Sequence, residues 1–342
     1  MFFIINPIAG GEDNIKFCQY FFQSLKEDCS FYVLSKHGEA KEISKNLSTK
    51  EQLIIAVGGD GTVNEIASSL VNSNATLAII PRGSGNGLAR TLHIPLKKKK
   101  EILNYLLNHK IIQIDTGNIN DQTFFCTAGI GFEGKIAHLF DKKENNKRGF
   151  QQYLQLIIQQ AITYKPVHAK IRIDDKIIDD DFSSICFANA KQWGNNGFIA
   201  PTAKLTDGLL NVTLIKPFPI TNLGVIVTAL LGGYIDMIPH YVTTYKAKEI
   251  EIIEISNPEG HIDGEPYFIQ PKTKISINKQ SLNVAVPIDF QEQSVRKLDE
   301  IELKINNLNN TILSSIQNSS VPTHTIELKK LLFNQLKKLL RR

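Results

Sequence analysis

LIIAVGGDGTVNEIASSL, residues 53–70, carries an apolar strand into Gly58-Gly59-Asp60-Gly61 and then turns into a helix. A strand that ends on glycines exposes successive backbone N–H groups with no side chain in the way, an arrangement that cradles phosphate oxygens. Thr62-Val63-Asn64-Glu65 fits the S/T-x-x-E capping box, so a helix is predicted to start directly after the loop. Its positive end would favour an anion at the same place. Asp60 stands among these donors, where a carboxylate needs a cation or a proton, and magnesium is the natural partner of a carboxylate beside phosphates. The same glycines would equally serve a bare tight turn between strand and helix.

The stretches on either side repeat the pattern. MFFIINP reads as a strand, IKFCQYFFQSLKE as a helix, SFYVLS as a strand and EAKEISKNLS as a helix; TLAIIP and GLARTL follow the opening segment. This alternation predicts a parallel, doubly wound α/β sheet, with ligands outside the carboxyl ends of its strands. Two more glycine-bearing loops follow strands, INPIAGG at residues 5–11 and PRGSGNG at residues 81–87. Neither is a GxxxxGK[ST] or GxGxxG sequence. Three such loops on one sheet edge predict a nucleotide polyphosphate site, near which Arg82 and Lys135 would neutralise charge or lie solvated at the surface.

After about residue 112 the pattern changes to short β-branched segments, among them QTFFCTAGIGF, HAKIRIDD, FSSICFANA and GLLNVTLIKP, separated by Gly, Asp, Asn or Pro. They predict a mostly antiparallel β domain, interrupted by helices near 149–163 and 221–238. The stretch ITNLGVIVTALLGGYIDMI contains Asp236 and three glycines, so a buried or groove-lining helix is expected there and not a membrane span. Trp193 would pack or lie at the mouth of the site. From 291 onward, Leu298, Ile301, Ile305, Leu308 and Ile312 keep helical steps, and TIELKKLLFNQLKKLLRR follows as a basic amphipathic helix.

The 342 residues, 42% of them hydrophobic, are enough for two cores of ordinary size. Cys18, Cys29, Cys126 and Cys186 form no CxxC and no HExxH is present, which speaks against a zinc site or disulfide framework and for a reducing cytoplasm. Lys and Arg number 39 against 34 Asp and Glu, a net charge of +5. Residues 321–342 hold six Lys and Arg against Glu327, so the excess lies in the tail and a broad nucleic-acid-binding face is not expected. The leucine stripe of that tail suits an anionic membrane surface, packing on the protein, or pairing with a second copy in a homodimer. A peripheral place at the inner face of the membrane follows from the first.

NPIAGG, GGDGTVNE, PRGSGNGLAR, PTAKLTDGLLNV and HIDGEP together resemble, in order and spacing, the diacylglycerol kinase catalytic-domain family, which includes soluble bacterial lipid kinases and the sphingosine and ceramide kinases. The resemblance covers roughly residues 1–290. It implies a nucleotide-binding α/β domain over 1–118, a β-sandwich lipid-binding domain over 119–290 with the active site in the cleft between them, and leaves 291–342 as a helical extension. It also implies an ATP- and magnesium-dependent kinase acting on the primary hydroxyl of a membrane lipid such as diacylglycerol or a sphingoid base. Asn6, Pro7, Gly10, Gly58, Gly59, Gly61, Thr62, Asn64, Glu65, Gly83, Ser84 and Asn86 would then hold ATP, and Ser35 matches a family threonine that approaches the nucleotide. Asp263 and Glu265 match the acidic pair at the cleft, with Glu265 the proton acceptor and Asp60 the alternative. Asp207 matches a ligand of a structural magnesium, but Lys204 and Thr206 stand where the other acidic ligands would be. Gly83-Ser84-Gly85-Asn86-Gly87 departs from the GTTND of diacylglycerol-specific bacterial members and looks more like the sphingosine kinase form. Two other readings remain open from sequence, an NAD-kinase-like phosphotransferase and a non-catalytic lipid- or nucleotide-binding regulator.

Overall fold

β1 (Phe2–Ile5), β3 (Leu53–Gly58) and β4 (Thr76–Pro81) are continuous apolar runs buried along nearly their whole length, and β2 (Ser30–Val33) is a more exposed edge strand. In this computed structural model they pair in parallel in the order β2-β1-β3-β4. Strands buried on both faces need helices to cover them. α1 (Asn14–Ser24), α2 (Glu39–Leu47), α3 (Asp60–Leu70), α4 (Gly87–Thr91) and α5 (Lys99–Leu107) follow in chain order, and their buried apolar residues join the strands in one core. The structure describes residues 1–292 apart from 12, 26–28, 37, 51, 142–155, 157, 158 and 162. The helices expected within 291–342, and most of the one expected near 149–163, lie outside the described residues.

The second half of the chain is antiparallel. β5 (His109–Ile119), β6 (Gln122–Phe124) and β7 (Thr127–Gly131) lead into α6 (Phe132–Asp141), and β8 (Val167–Ile173), β9 (Lys176–Phe182), β10 (Ser184–Ala188) and β11 (Leu210–Ile215) follow. After α7 (Leu223–Gly232) come β12 (Val242–Ala247), β13 (Glu249–Ile255), β14 (Glu259–Ile262), β15 (Glu265–Phe268) and β16 (Thr273–Pro287). One sheet runs β12-β11-β10-β7-β14-β15. It faces β8, β13 and their neighbours across a second apolar core in which Ile130, Phe187, Val212, Ile171 and Ile252 are buried. Alternation in β8, with Val167, Ala169, Ile171 and Ile173 buried, is the mark of a strand with one face inward.

β16 joins the two halves. Thr273–Ser276 pairs with β13, while Asn283 and Val284 run parallel to β4. Leu282, Val284, Ala285, Val286 and Phe290 therefore lie in the first core, although by sequence they follow the sandwich strands.

Two local expectations meet the structure differently. α3 starts at Asp60 with Gly59 as its N-cap, so Thr62 lies inside the helix and forms no capping box. The extended backbone of Gly59 lets the helix begin at once, and the Thr62 hydroxyl turns inward to accept a hydrogen bond from Asn6 Nδ2 at 3.0 Å. α7 is the apolar helix expected in the 220–238 stretch, with Ile226 and Ala229 buried in a third cluster. Among the described residues no helix is long and apolar enough to cross a membrane.

Candidate active site

The loops after β1, β3 and β4 meet at the carboxyl edge of the parallel sheet, and they meet backbone to backbone. A Cβ on Gly10, at φ +75°, would lie 2.0 Å from the Arg82 carbonyl oxygen, and one on Gly83 would lie 2.7 Å from Gly59 Cα. A Cβ on Gly58 would strike the Thr62 side chain at 2.5 Å. These glycines hold the loops together more than they face a ligand. Gly10, Gly61 and Ser84 are exposed, and a Cβ on Gly61 would meet only Glu265 Oε1, at 3.8 Å.

Polar side chains stitch the same loops. Asn6 Oδ1 accepts from the Ile8 amide at 3.2 Å, beside the half-buried Pro7. Asn14, fully buried at the start of α1, donates to the carbonyls of Asn6 and Ala9 at 2.8 and 3.0 Å and accepts from Arg82 Nε at 2.6 Å. Arg82 also stacks over Phe17 at 4.0 Å, and Lys135 lies 5.8 Å from the Tyr164 ring centroid. Asn86, at φ +54°, accepts from the Gly83 amide at 3.1 Å and donates to the Gly83 carbonyl at 2.7 Å. The role of Asn14 has no sequence motif behind it; its place one residue after the helix-capping Asp13 is the only local sign.

Asp60 is built into this edge. Its Oδ2 accepts from the Asn86 amide and its Oδ1 from the Gly87 amide, each at 2.8 Å, so it caps α4 across the gap between two loops. Glu65 Oε1 accepts from the Gly38 amide at 3.3 Å. That contact adjoins the loop of Ser35, whose amide and hydroxyl donate to Glu39 Oε2 at 2.7 and 3.1 Å. The Ser35 amide, followed by the Tyr32 hydroxyl, pulls the Glu39 carboxyl down to about 2.

Asp263 and Glu265 approach from the sandwich. They flank Gly264 in a hairpin between β14 and β15 whose two loop residues, Asp263 at φ +47° and Gly264 at φ +88°, have the positive φ that a two-residue type I′ turn requires. The Asp263 carboxylate is taken up by protein donors from both lobes. It accepts from the amides of Phe125, Cys126 and Thr127 at 2.8, 2.8 and 2.9 Å, and from Asn64 Nδ2 at 3.1 Å. Burial raises its pKa, against the pull of those amides. Asp263 thus clamps the two lobes, while Glu265 is exposed and faces the start of α3.

The two places expected to take magnesium differ in their donors. Asp60 retains outward lone pairs beyond its two amide bonds, and Glu265 is exposed nearby. Among the described residues no three His, Cys, Asp or Glu side chains form a cluster that could hold a metal ion. At Asp207 the residues do not fit: Lys246 Nζ lies 2.8 Å from Oδ2, and the Leu209 amide donates to Oδ1 at 3.2 Å. The ammonium holds the place of a cation there. The loop itself is fixed by buried Asp115, which accepts from the Gly208 amide at 2.6 Å and the Gln280 amide at 2.8 Å. Trp193 packs on the cluster around α7, and its carbonyl oxygen would lie 2.8 Å from a Cβ on Gly87.

Comparison with known proteins agrees with this two-lobed arrangement. The family described as "Diacylglycerol kinase catalytic domain" matches residues 1–119, and "YegS C-terminal NAD kinase beta sandwich-like domain" matches residues 127–286. The first lobe is thus similar to diacylglycerol kinase catalytic domains and the second to YegS-type sandwich domains. Its relatives include the diacylglycerol kinase of Bacillus subtilis, 25% identical over 296 residues that cover 85% of this chain and 97% of the relative. The Pseudomonas aeruginosa protein named "Probable lipid kinase YegS-like" is 27% identical over 261 residues, 75% of this chain and 83% of the relative. The crystal structure of a diacylglycerol kinase from Bacillus anthracis superposes with a TM-score of 0.62 at 23% identity, over 83% of this chain and 96% of that one. This last likeness confirms the family fold, an α/β lobe followed by an antiparallel sandwich.

Proposed function

We propose that this protein is a lipid kinase of the diacylglycerol kinase type, which transfers the γ-phosphoryl group of ATP to the primary hydroxyl of a membrane lipid, a diacylglycerol or a sphingoid base. The observation that carries the reading is the facing of Glu265 and Gly61, a carboxylate on one lobe 3.8 Å from where a side chain on the other lobe's glycine loop would begin. Phosphoryl transfer needs in-line placement, charge neutralisation and a group to take the hydroxyl proton.

In this reading the amides at the start of α3 and those of Ser84 and Gly85, between the bonded amides of Gly83 and Asn86, receive the phosphates. Asn6, Thr62, Asn14 and Asp60 keep the loops in register, and Ser35 with Glu65 borders the nucleotide. The lipid hydroxyl oxygen forms its bond to the γ-phosphorus as the bond to the β–γ bridging oxygen breaks. ADP departs with that electron pair, and the hydroxyl proton passes to Glu265. Magnesium, when bound with the triphosphate, would neutralise charge there, with Asp60 the carboxylate to hold it.

The test is incubation with γ-phosphate-labelled ATP and a total lipid extract, with magnesium and with a chelator. Label in a lipid that depends on magnesium supports the reading, and its mobility names the acceptor. Label in added NAD and in no lipid would overturn it. The membrane proposal for residues 321–342 rests on their sequence, since they lie outside the described residues. Deleting them should weaken binding to anionic vesicles and selectively reduce activity on vesicle-borne lipid. Equal losses on vesicle and detergent substrates, with a changed oligomeric state, would assign the tail to protein packing.

A further inference from the structure

Behind the Asp263–Gly264 turn lies a buried pair that the proposed chemistry does not use. Two glycines make it possible. A Cβ on Gly129 of β7 would lie 2.5 Å from Glu133 Oε1, and one on Gly134 of α6 would lie 2.3 Å from the Glu259 carbonyl oxygen. α6 therefore rests directly on β14, and Glu133, 8% exposed, comes against His261, 3% exposed. Glu133 Oε1 accepts from Ser184 Oγ at 2.7 Å. Its Oε2 lies 3.1 Å from His261 Nε2, a close polar contact that falls short of hydrogen-bond geometry.

The other ring nitrogen decides the protonation pattern. His261 Nδ1 is 3.2 Å from the backbone nitrogen of Gly264, and a backbone N–H can only donate. Nδ1 is therefore the bare acceptor and Nε2 carries the ring proton, where the field of Glu133 stabilises it. The turn is thus held from two sides, at Asp263 by the amides of residues 125–127 and at Gly264 by the histidine. Glu265 is the next residue.

We propose that His261, kept in this tautomer by Glu133, is a positioning residue for Glu265. It ties Gly264 down so that the Glu265 carboxylate faces the start of α3. A glycine at φ +88° has wide conformational freedom when untied, and a displacement of about 1 Å in a reacting group can cost on the order of 100-fold in rate. The inference rests on the lipid-kinase reading above.

Two conservative variants separate positioning from simple core satisfaction. His261→Asn puts an acceptor near the Nδ1 position and loses the reach to Glu133; His261→Gln reaches Glu133 and loses the acceptor for Gly264. Positioning predicts that kcat falls about tenfold or more in the Gln variant and is substantially retained in the Asn variant, with the KM for ATP within about threefold of wild type in both. Thermal stability should rank the opposite way, because the Asn variant leaves Glu133 buried without its partner. A kcat that follows stability, with Gln at or above Asn, would overturn the proposal. Should neither variant fold, hydrogen exchange of the Gly264 amide in the intact wild-type chain decides: protection supports the tie, and exchange at the rate of a free turn amide removes it. A wild-type chain that labels no lipid overturns the kinase reading itself, whereas labelled lipid with unaltered kcat in both variants overturns only the role of His261.

Discussion

Asn64 Nδ2 donates to Asp263 Oδ2 at 3.1 Å across 199 residues of chain, and that bond ties the first turns of α3 to the hairpin that presents Glu265. Removing it by Asn64→Ala leaves a buried carboxylate one donor short and should cost about 1.5–3 kcal/mol in urea unfolding. Asn64→Asp should cost more, since it sets two carboxylates against each other. Wild-type stability in both variants would show that the lobes do not depend on this contact.

Glu265→Gln isolates the proton acceptor. The side chain is exposed, so stability should stay within about 0.5 kcal/mol of wild type. In steady-state assays kcat should fall about 100-fold or more with little change in the KM for ATP. Full activity in this variant would make Asp60 the leading candidate for the base.

Asp60→Asn should lower both activity and stability. An asparagine can accept from only one of the two amides that now cap α4, and its own NH2 would oppose the other. A loss of about 1 kcal/mol is expected for the weakened cap, beside a large fall in kcat. A variant inactive but as stable as wild type would restore a purely catalytic role for Asp60, the outcome expected if this residue only serves the metal.

Neighbouring glycines should separate two failures. A Cβ on Gly59 would lie 3.3 Å from Gly83 Cα, so Gly59→Val forces the loops apart and should lower the melting temperature as well as ATP affinity. Gly61 opens toward Glu265, so Gly61→Val should keep its melting temperature and lose activity. Calorimetry beside nucleotide titration checks both, and a normal affinity for ATP in a folded Gly59→Val protein would remove the phosphate-cradle reading.

Glu39 provides a pH test of the Ser35 loop. Its folded carboxyl, held near 2 chiefly by the Ser35 amide, lies below the unfolded glutamate value of about 4.3. The contribution to loop order is therefore fully present above the unfolded value and is lost as pH falls through the folded one. The amide resonances of Ser35 and Lys36 should shift with a midpoint near 2. A midpoint at the ordinary glutamate value would mean that the loop is not held by this residue.

The alternation of strand, glycine loop and helix was legible in residues 1–92 because apolar periodicity and glycine punctuation are local properties of a chain. The change to short β-branched segments after residue 112 was legible for the same reason, although β5, which spans it, still places Ile112 and Ile114 against the first core. The acidic pair of HIDGEP stood out as a motif, yet its two members part company in the fold. Asp263 turns inward to three amides and Asn64, while Glu265 stays exposed at the cleft. Spacing cannot tell them apart, because which carboxylate meets donors depends on what packs beneath the turn. Asp60 reads from sequence as a residue for phosphate and metal, but its oxygens meet the Asn86 and Gly87 amides only because β3 and β4 are neighbours. Asn14, the Glu133–His261 pair and the return of β16 to β4 likewise depend on segments far apart in the chain. Local patterning determined the elements and the glycine loops; tertiary packing decided the partner of each buried polar group, since a desolvated donor or acceptor takes whatever group the fold brings to it.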